Sequence, residues 1–340
     1  ELAYNNGKDP VSQDQLQPGQ GDLVDFSDYE SLYAAFQDQL RYYTWVSVMF
    51  DTAGDLALEE LAPDAFCSAL VDDCLDRGKT IKEGGSVYDV ISGLQSGVAN
   101  VANGLMALKK LLYEQGILSA DQIAKALASN FEEEEGEILR HRLLNVPKYG
   151  NDVDEVDQIA WQVMDDYLQA VDPYRTTRFG RGPIGCRYAG STSNISANVP
   201  LGQPVCATPD GRKSGEPIAE GVSPVHGTDT SGPTAVMRSV AKLQTSKMLA
   251  QLLNLRLSPS MLDTEMGEKK FIQLLRGFQR LKGWHVQFNM ISTETLLDAQ
   301  KHPEDYTDLI VRVAGYSALF VTLDKATQDD IIARTVHVMS

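Results

Sequence analysis

The chain has 340 residues, 43% hydrophobic and 23% charged, with a formal net charge of −17. That length and apolar content can bury a large core, as two domains or one large α/β unit. The acidity argues against a surface for nucleic acid or anionic membrane, and no run of about eighteen apolar residues offers a membrane span. Four cysteines, Cys67, Cys74, Cys186 and Cys206, are too few and too scattered for a disulfide framework, and none forms Cys-x-x-Cys. The five histidines do not join them at metal-ligand spacing, so no metal is expected.

In chain order, Glu1-Leu2-Ala3-Tyr4-Asn5-Asn6-Gly7 reads as the last turn of a helix stopped by Asn and Gly, so the chain is expected to be the C-terminal part of a longer polypeptide. Ser27, with Glu30 three residues on, is a capping-box signature for a helix in which Leu32, Phe36, Leu40, Tyr43 and Val46 recur through to Phe50. Pro63 begins the next helix, which carries Cys67 and Cys74 on its apolar face, runs to Arg77 and is stopped by Gly78. Gly84-Gly85-Ser86 turns into a long segment, Val87 to Gln115, whose Gly97, Ala99, Ala102 and Gly104 predict close helix packing. Ser119 caps a helix to about Phe131, Glu132 to Glu135 suit a solvated helix end, and Asp152 or Asp154 opens a helix reaching Val171.

From Asp172 to Pro233 the chain is rich in Gly, Pro, Ser and Thr with little periodicity. A loop of that length in a compact domain is expected to line a site. Pro233 then starts a helix through Leu253, and Pro259 another through Leu281. Trp284 to Met290 alternates as a strand, and Thr293 to Lys301 is a short helix.

The last stretch, Arg312-Val313-Ala314-Gly315-Tyr316-Ser317-Ala318-Leu319-Phe320, reads as a strand containing one glycine. Val311, Val313, Ser317, Leu319 and Val321 fall on one face and Arg312, Ala314, Tyr316, Ala318 and Phe320 on the other, once the glycine breaks the alternation. Glycine weakens a strand and packs nothing, so it marks a bulge or a place that excludes a Cβ. A carbon radical on the backbone is one chemistry with that demand. Loss of a Cα hydrogen leaves an unpaired electron delocalised over the flanking amide and carbonyl, which needs a planar Cα that a side chain would crowd.

Arg312 to Tyr316, followed by Gln328-Asp329 and Ile331-Ile332-Ala333-Arg334-Thr335, resembles nearly position for position the glycyl-radical box of the pyruvate formate-lyase-like enzymes. Gly315 also lies 25 residues before Ser340, matching the family's spacing. The resemblance spans essentially the whole chain. Asn198-Val199-Pro200-Leu201-Gly202, Ala207 to Arg212, Gly221-Val222-Ser223-Pro224, Gly232 to Ala235 and Ser239 to Leu243 are similar to the glycerol-dehydratase-like branch, as are Gln287-Phe288-Asn289 and Leu297 to Glu304. It implies a helix-rich α/β fold, the C-terminal part of a ten-stranded barrel, with residues 1–205 in the catalytic domain and 206–340 in the glycyl radical domain.

The resemblance further implies a glycyl radical lyase of the eliminating kind, with Gly315 storing the radical and a cysteine thiyl attacking a small-molecule substrate. Implied partners are a radical S-adenosylmethionine activating enzyme with an iron–sulfur cluster and a second copy of the chain. The setting is anaerobic metabolism in the cytoplasm or a bacterial microcompartment. The family's thiol lies in a Gly-Cys-x-Glu loop, and none of the four cysteines here precedes a glutamate by two residues. The thiol is therefore expected from an upstream segment or another chain.

Diol dehydratases of the branch carry Gly-Gly-x-Phe-x-Pro-Gly-x-Tyr-Pro-Val ahead of Ser-Ala-Asn-Val, where this chain has Gly185-Cys186-Arg187-Tyr188-Ala189-Gly190-Ser191-Thr192-Ser193-Asn194-Ile195. That hydroxyl-rich run and the paired donors of a guanidinium predict substrate contacts at Ser193 and Arg187, and favour a small hydroxylated, anionic substrate such as a sulfonate over glycerol or propanediol. Pairing of Arg187 with a nearby acid is the alternative. A formate C-acetyltransferase-like enzyme and a non-catalytic spare-part radical domain are the remaining readings. His302 reads as a helix-end cap and His285 as a core group. Arg312 and Arg334 fix the loop, meet the activating enzyme or pair at the surface.

Overall fold

A 33-residue helix, α1 (Tyr29–Leu61), opens the scaffold in the computed structural model, which describes residues 1–193 and 196–338, the side chain of Thr245 excepted. Asp28 rather than Ser27 caps it, its carboxylate accepting the Ser31 N–H at 2.8 Å. The helix runs past the expected end at Phe50 because only Gly54 weakens the next turns, and it stops just short of Pro63. The single helix expected from Pro63 to Arg77 is two, α2 (Ala65–Leu70) and α3 (Cys74–Arg77), interrupted at Asp73 with φ 71°. Gly78 closes α3 at φ 60°.

The segment Val87 to Gln115 departs furthest from expectation. Tyr88–Leu94 is a strand, β1, and the helix begins only at α4 (Val98–Ala107), after Gly97 turns the chain at φ 78°. β1 pairs in parallel with β2 (Ile184–Ser191), from Tyr88 opposite Ile184 to Leu94 opposite Ser191. β2 thus lies inside the stretch read as loop. A parallel partner nearly a hundred residues away leaves no local periodic signature. The register shifts between Asp89 and Val90, and Cys186, at φ 48°, is the extra residue.

Helix α4 is buried almost all round and packs on α7 (Asp154–Val171), while α5 (Ala120–Ala128) and α6 (Glu134–Leu144) pack on each other and add side chains to the same core. Glu134, Glu135 and Glu137 occupy the first turn of α6, where the helix dipole favours them. After α8 (Asn198–Gly202), α9 (Pro233–Lys242) ends well before Leu253, and its expected last turns lead instead into strand β3 (Asn254–Leu257). Then come α10 (Glu265–Arg280), β4 (Gln287–Asn289), α11 (Thr293–Lys301), β5 (Ile310–Arg312), β6 (Ser317–Leu319), α12 (Lys325–Ala333) and β7 (Val336–His337). β3 lies between β4 and β7, parallel to both, and a parallel bridge from Ser191 to Ala250 joins its approach to the end of β2.

Gly315 is not inside a strand. β5 and β6 pair antiparallel, Ile310 opposite Leu319 and Arg312 opposite Ser317, so the chain reverses and Gly315 sits in the connecting turn at φ 79°. The Val313 N–H closes that turn on the Tyr316 carbonyl at 2.9 Å. Reversal also splits the predicted face, burying Val311 and Val313 while exposing Ser317 and Leu319.

Three hydrophobic clusters result among the described residues, the smallest of Val48, Val171 and Tyr188. The main one draws side chains from Leu23 to Phe278, across both sides of position 205. A separate cluster of Leu296, Ala299, Val311, Val313, Phe320 and Ile331 holds the hairpin to α11 and α12. Phe320→Ala should cost about 3–5 kcal/mol in the hairpin cluster. Hydrogen exchange should accelerate at the amides of Val313 and residue 320, which close the hairpin on the Tyr316 and Leu309 carbonyls, while the α4 amides keep their rates.

Candidate active site at the Gly315 hairpin

The alternation of β4 aims Gln287 and Asn289 one way and Phe288 the other, where Phe288 meets Phe271 at 5.1 Å between ring centroids. The two amides grip the hairpin. Asn289 donates to the Arg312 carbonyl at 2.6 Å and accepts the Arg312 N–H at 2.8 Å. The Gln287 carbonyl oxygen accepts from Arg312 Nε at 2.7 Å and from the Gly315 N–H at 3.3 Å. Asn254 on β3 accepts from the Gln287 amide and donates to the Val313 carbonyl at 3.4 Å.

Arg334, just past α12, reaches the same loop from the far side. Its Nη1 donates to the Val313 carbonyl at 2.9 Å, and its Nη2 to Glu220 at 3.1 Å and Asp330 at 3.2 Å. The side chain is 6% exposed, so surface pairing does not describe it. Asp330 stands four residues before it, one helical turn away, and also accepts from Asn198 at 3.0 Å. Burial pushes the Glu220 carboxyl up to about 7, against the opposing pull of Arg334, while Asp330 raises it further. Burial pulls His226, beside Asp330, below its ordinary value.

The motifs that carried the resemblance build this cradle. A Cβ on Gly221 would lie 2.2 Å from the Leu252 carbonyl oxygen, so Gly221 permits the close approach that seats Leu252. The Ser223 hydroxyl accepts the Asn254 N–H at 3.0 Å, and Gln328 donates to the Phe320 carbonyl at 2.9 Å. Arg256, 1% exposed, ties β3 to the Ile332 carbonyl at the end of α12 and to Thr293 on α11.

Gly315 itself is exposed. A Cβ placed on it would meet Leu252 Cδ1 at 3.5 Å and Ser193 Oγ at 3.8 Å, so the structure brings Ser193 beside the glycine and puts no cysteine sulfur within 4 Å. The Tyr316 hydroxyl lies 3.4 Å from Ser196 Oγ. Asn194 and Ile195 of the hydroxyl-rich run lie outside the described residues. Arg187 is not brought to the glycine: it is an exposed residue on β2, four positions before Ser191 and so about 13 Å short of the strand's end. Acidic Asp165 and Asp172 share its cleft. His285 is pulled below its ordinary value by burial and then by Arg312, and its carbonyl accepts from Gln251; His302 is exposed.

Among the described residues one acidic group has metal-ligand spacing, Asp152, Asp154 and Asp157. The Lys242 ammonium sits among these carboxylates at 2.7, 2.7 and 2.8 Å and supplies their counter-charge. Sequence reasoning missed Glu220, Asn254 and Asp330 as parts of the site. Polar residues at buried positions were the available signal.

Glu220 holds its proton more tightly folded than unfolded, so its stabilisation is whole below about pH 4.5 and is lost as pH rises through about 7. Neutral burial of His226 works in the opposite direction below about pH 6.5, so the comparison is made between proteins differing at Glu220 alone. The unfolding free energy of wild type relative to Glu220→Gln should fall between pH 5 and 8 in denaturant titrations, and a flat difference would refute the assignment.

The profile described as pyruvate formate lyase-like matches residues 1–202, and that described as glycine radical matches residues 218–321. A probable dehydratase of Escherichia coli (strain K12) is 49% identical over 99% of this chain and 42% of its own length. Trans-4-hydroxy-L-proline dehydratase of Clostridioides difficile is 37% identical over 98% and 42%. Among solved structures, the glycerol-bound form of the B12-independent glycerol dehydratase from Clostridium butyricum superposes with a TM-score of 0.92 at 39% identity, covering 99% of this chain and 42% of that one. The chain thus spans about two-fifths of the length of these relatives. With its glycine hairpin held by buried amides and Arg334, and both profiles matched in order, the chain belongs to the pyruvate formate lyase-like family of glycyl radical enzymes.

Proposed function

We propose that this chain is part of a glycyl radical eliminase that removes a hydroxyl group from a small hydroxylated substrate, with Gly315 as the radical store. The observation that carries the reading is a glycine exposed at a hairpin tip whose neighbouring peptides are gripped by Gln287, Asn289, Asn254 and Arg334. A loop without a task gains nothing from so many buried polar partners. Its place within the glycine radical match adds support.

Once on Gly315, the radical supplies a one-electron oxidant on which a thiol from another segment or chain draws. The protein's share is orientation. Leu252 and Ser193 face the glycine from the strand ends, Leu252 giving it an apolar wall and Ser193 offering a hydroxyl to a substrate oxygen. The anionic preference rested on the hydroxyl-rich run and on Arg187; the place of Arg187 on β2 weakens its share, and the hydroxyl group is the substrate feature we assign. Activation by a radical S-adenosylmethionine enzyme requires access to Gly315. The separate cluster beneath the hairpin supports local release of the segment from about Leu309 onward without unfolding the main core.

Anaerobic activation of the complete protein should give the one-proton doublet of a glycyl radical in electron paramagnetic resonance, and air should then cut the backbone at Gly315. Gly315→Ala is a clean control because both Cβ contacts are of ordinary length, leaving only the positive φ to cost about 1–2 kcal/mol. It should fold and give neither doublet nor turnover, and turnover in that variant would end the proposal. Ser193→Ala should raise KM for the hydroxylated substrate about fivefold, the worth of one hydrogen bond of roughly 1 kcal/mol. An unchanged KM would remove Ser193 from the site.

A further inference from the structure

We propose that Gln287 is the residue that sets the amide plane on the nitrogen side of Gly315, and so orients and stabilises the unpaired electron there; the proposal rests on the radical reading of Gly315. Gln287 is 8% exposed, yet its carbonyl oxygen serves two donors three residues apart across the hairpin tip, Arg312 Nε at 2.7 Å and the Gly315 N–H at 3.3 Å.

The orientation of this amide is forced by chemistry. Arg312 Nε and the Gly315 nitrogen can only donate, so the Gln287 oxygen must face them and its NH2 must face away. Away lies Asn254 Oδ1, which accepts from it. Asn254 in turn must present its oxygen to Gln287 because its own NH2 is directed to the Val313 carbonyl. Gln287 therefore belongs to a relay with one consistent donor sense, Asn254 to Val313, Gln287 to Asn254, and Arg312 and Gly315 to Gln287.

Two consequences follow for Gly315. Abstraction removes one hydrogen atom, proton and electron together, from Cα; a new C–H bond forms on the abstracting alkyl radical, and Gly315 is left neutral with one unpaired electron. That electron is stabilised when the amide nitrogen lone pair overlaps the half-filled orbital on Cα. An acceptor on the N–H polarises that bond and strengthens the nitrogen as a donor. A neutral amide does so without placing a charge beside a neutral radical. Holding the N–H also stops the Ala314–Gly315 peptide from rotating, so one of the two Cα hydrogens is always the one presented. Asn289 and Arg334 grip Arg312 and Val313, whereas Gln287 is the side chain that grips the glycine.

Two variants in the complete protein separate acceptor from shape. Gln287→Met keeps length and packing but removes the acceptor oxygen; Gln287→Glu keeps the acceptor for Arg312 and Gly315, and Asn254 can turn its amide to donate to the second carboxylate oxygen at the cost of its long bond to the Val313 carbonyl. Hydrogen exchange at the Gly315 amide and the anaerobic half-life of the doublet are the readouts. Gln287→Met should exchange at least tenfold faster and lose its radical at least tenfold sooner, with an unchanged circular dichroism spectrum, while Gln287→Glu stays within threefold of wild type on both. Wild-type behaviour in the Met variant, or equal failure of the Glu variant while folded, overturns the proposal. So does a wild-type Gly315 amide that exchanges at the unprotected rate, a measurement that needs no variant to fold. Absence of a doublet in wild type would instead count against the radical reading.

Discussion

A buried guanidinium needs partners for the donors it takes out of water, and Arg334 finds them for both of its terminal nitrogens in two carboxylates and the hairpin's own carbonyls. The charge on Arg334 is thereby answered by Glu220 and Asp330, and its directional donors are spent on Arg312 and Val313. Moving the hairpin away would leave guanidinium donors and the Arg312 and Val313 carbonyls without these partners in a low-dielectric interior. The position of Gly315 is set by that electrostatic requirement more than by apolar packing, since the glycine has no side chain to pack.

The constraint propagates into the sheet. β3 lies at the junction because Asn254 reaches the hairpin, Leu252 faces the glycine, and Arg256 ties the strand to α11 and α12. Gly221 and Ser223 hold β3 in turn, the first by allowing its backbone to touch Leu252 and the second by accepting from Asn254. Segments that read as loop are therefore spacers of fixed length. They bring the end of β2, with Thr192 and Ser193, against the same point.

Rigidity and release coexist because they use different interactions. Polar bonds determine where Gly315 sits, whereas a small apolar cluster apart from the main core determines how firmly the hairpin and its helices stay down. A protonation near neutrality at Glu220 lies within the polar set, so the strength of the grip is sensitive to pH in a range where ordinary carboxylates are silent.

The sequence by itself determined many local elements and the family likeness: the amphipathic helices α1, α5, α7 and α11, and the motif around Gly315 carried by Arg312 to Tyr316 and Ile331 to Thr335. These follow from side-chain identity and short-range periodicity, which a linear pattern records. Only the tertiary structure decided that Tyr88 to Leu94 is a strand, that Gly315 turns a hairpin rather than kinks a strand, that Arg187 stands apart from it, and that Gln287 faces its amide. Each of those depends on a partner distant in the chain, and a hydrogen bond across that distance leaves no trace in local order until the backbone brings both ends together.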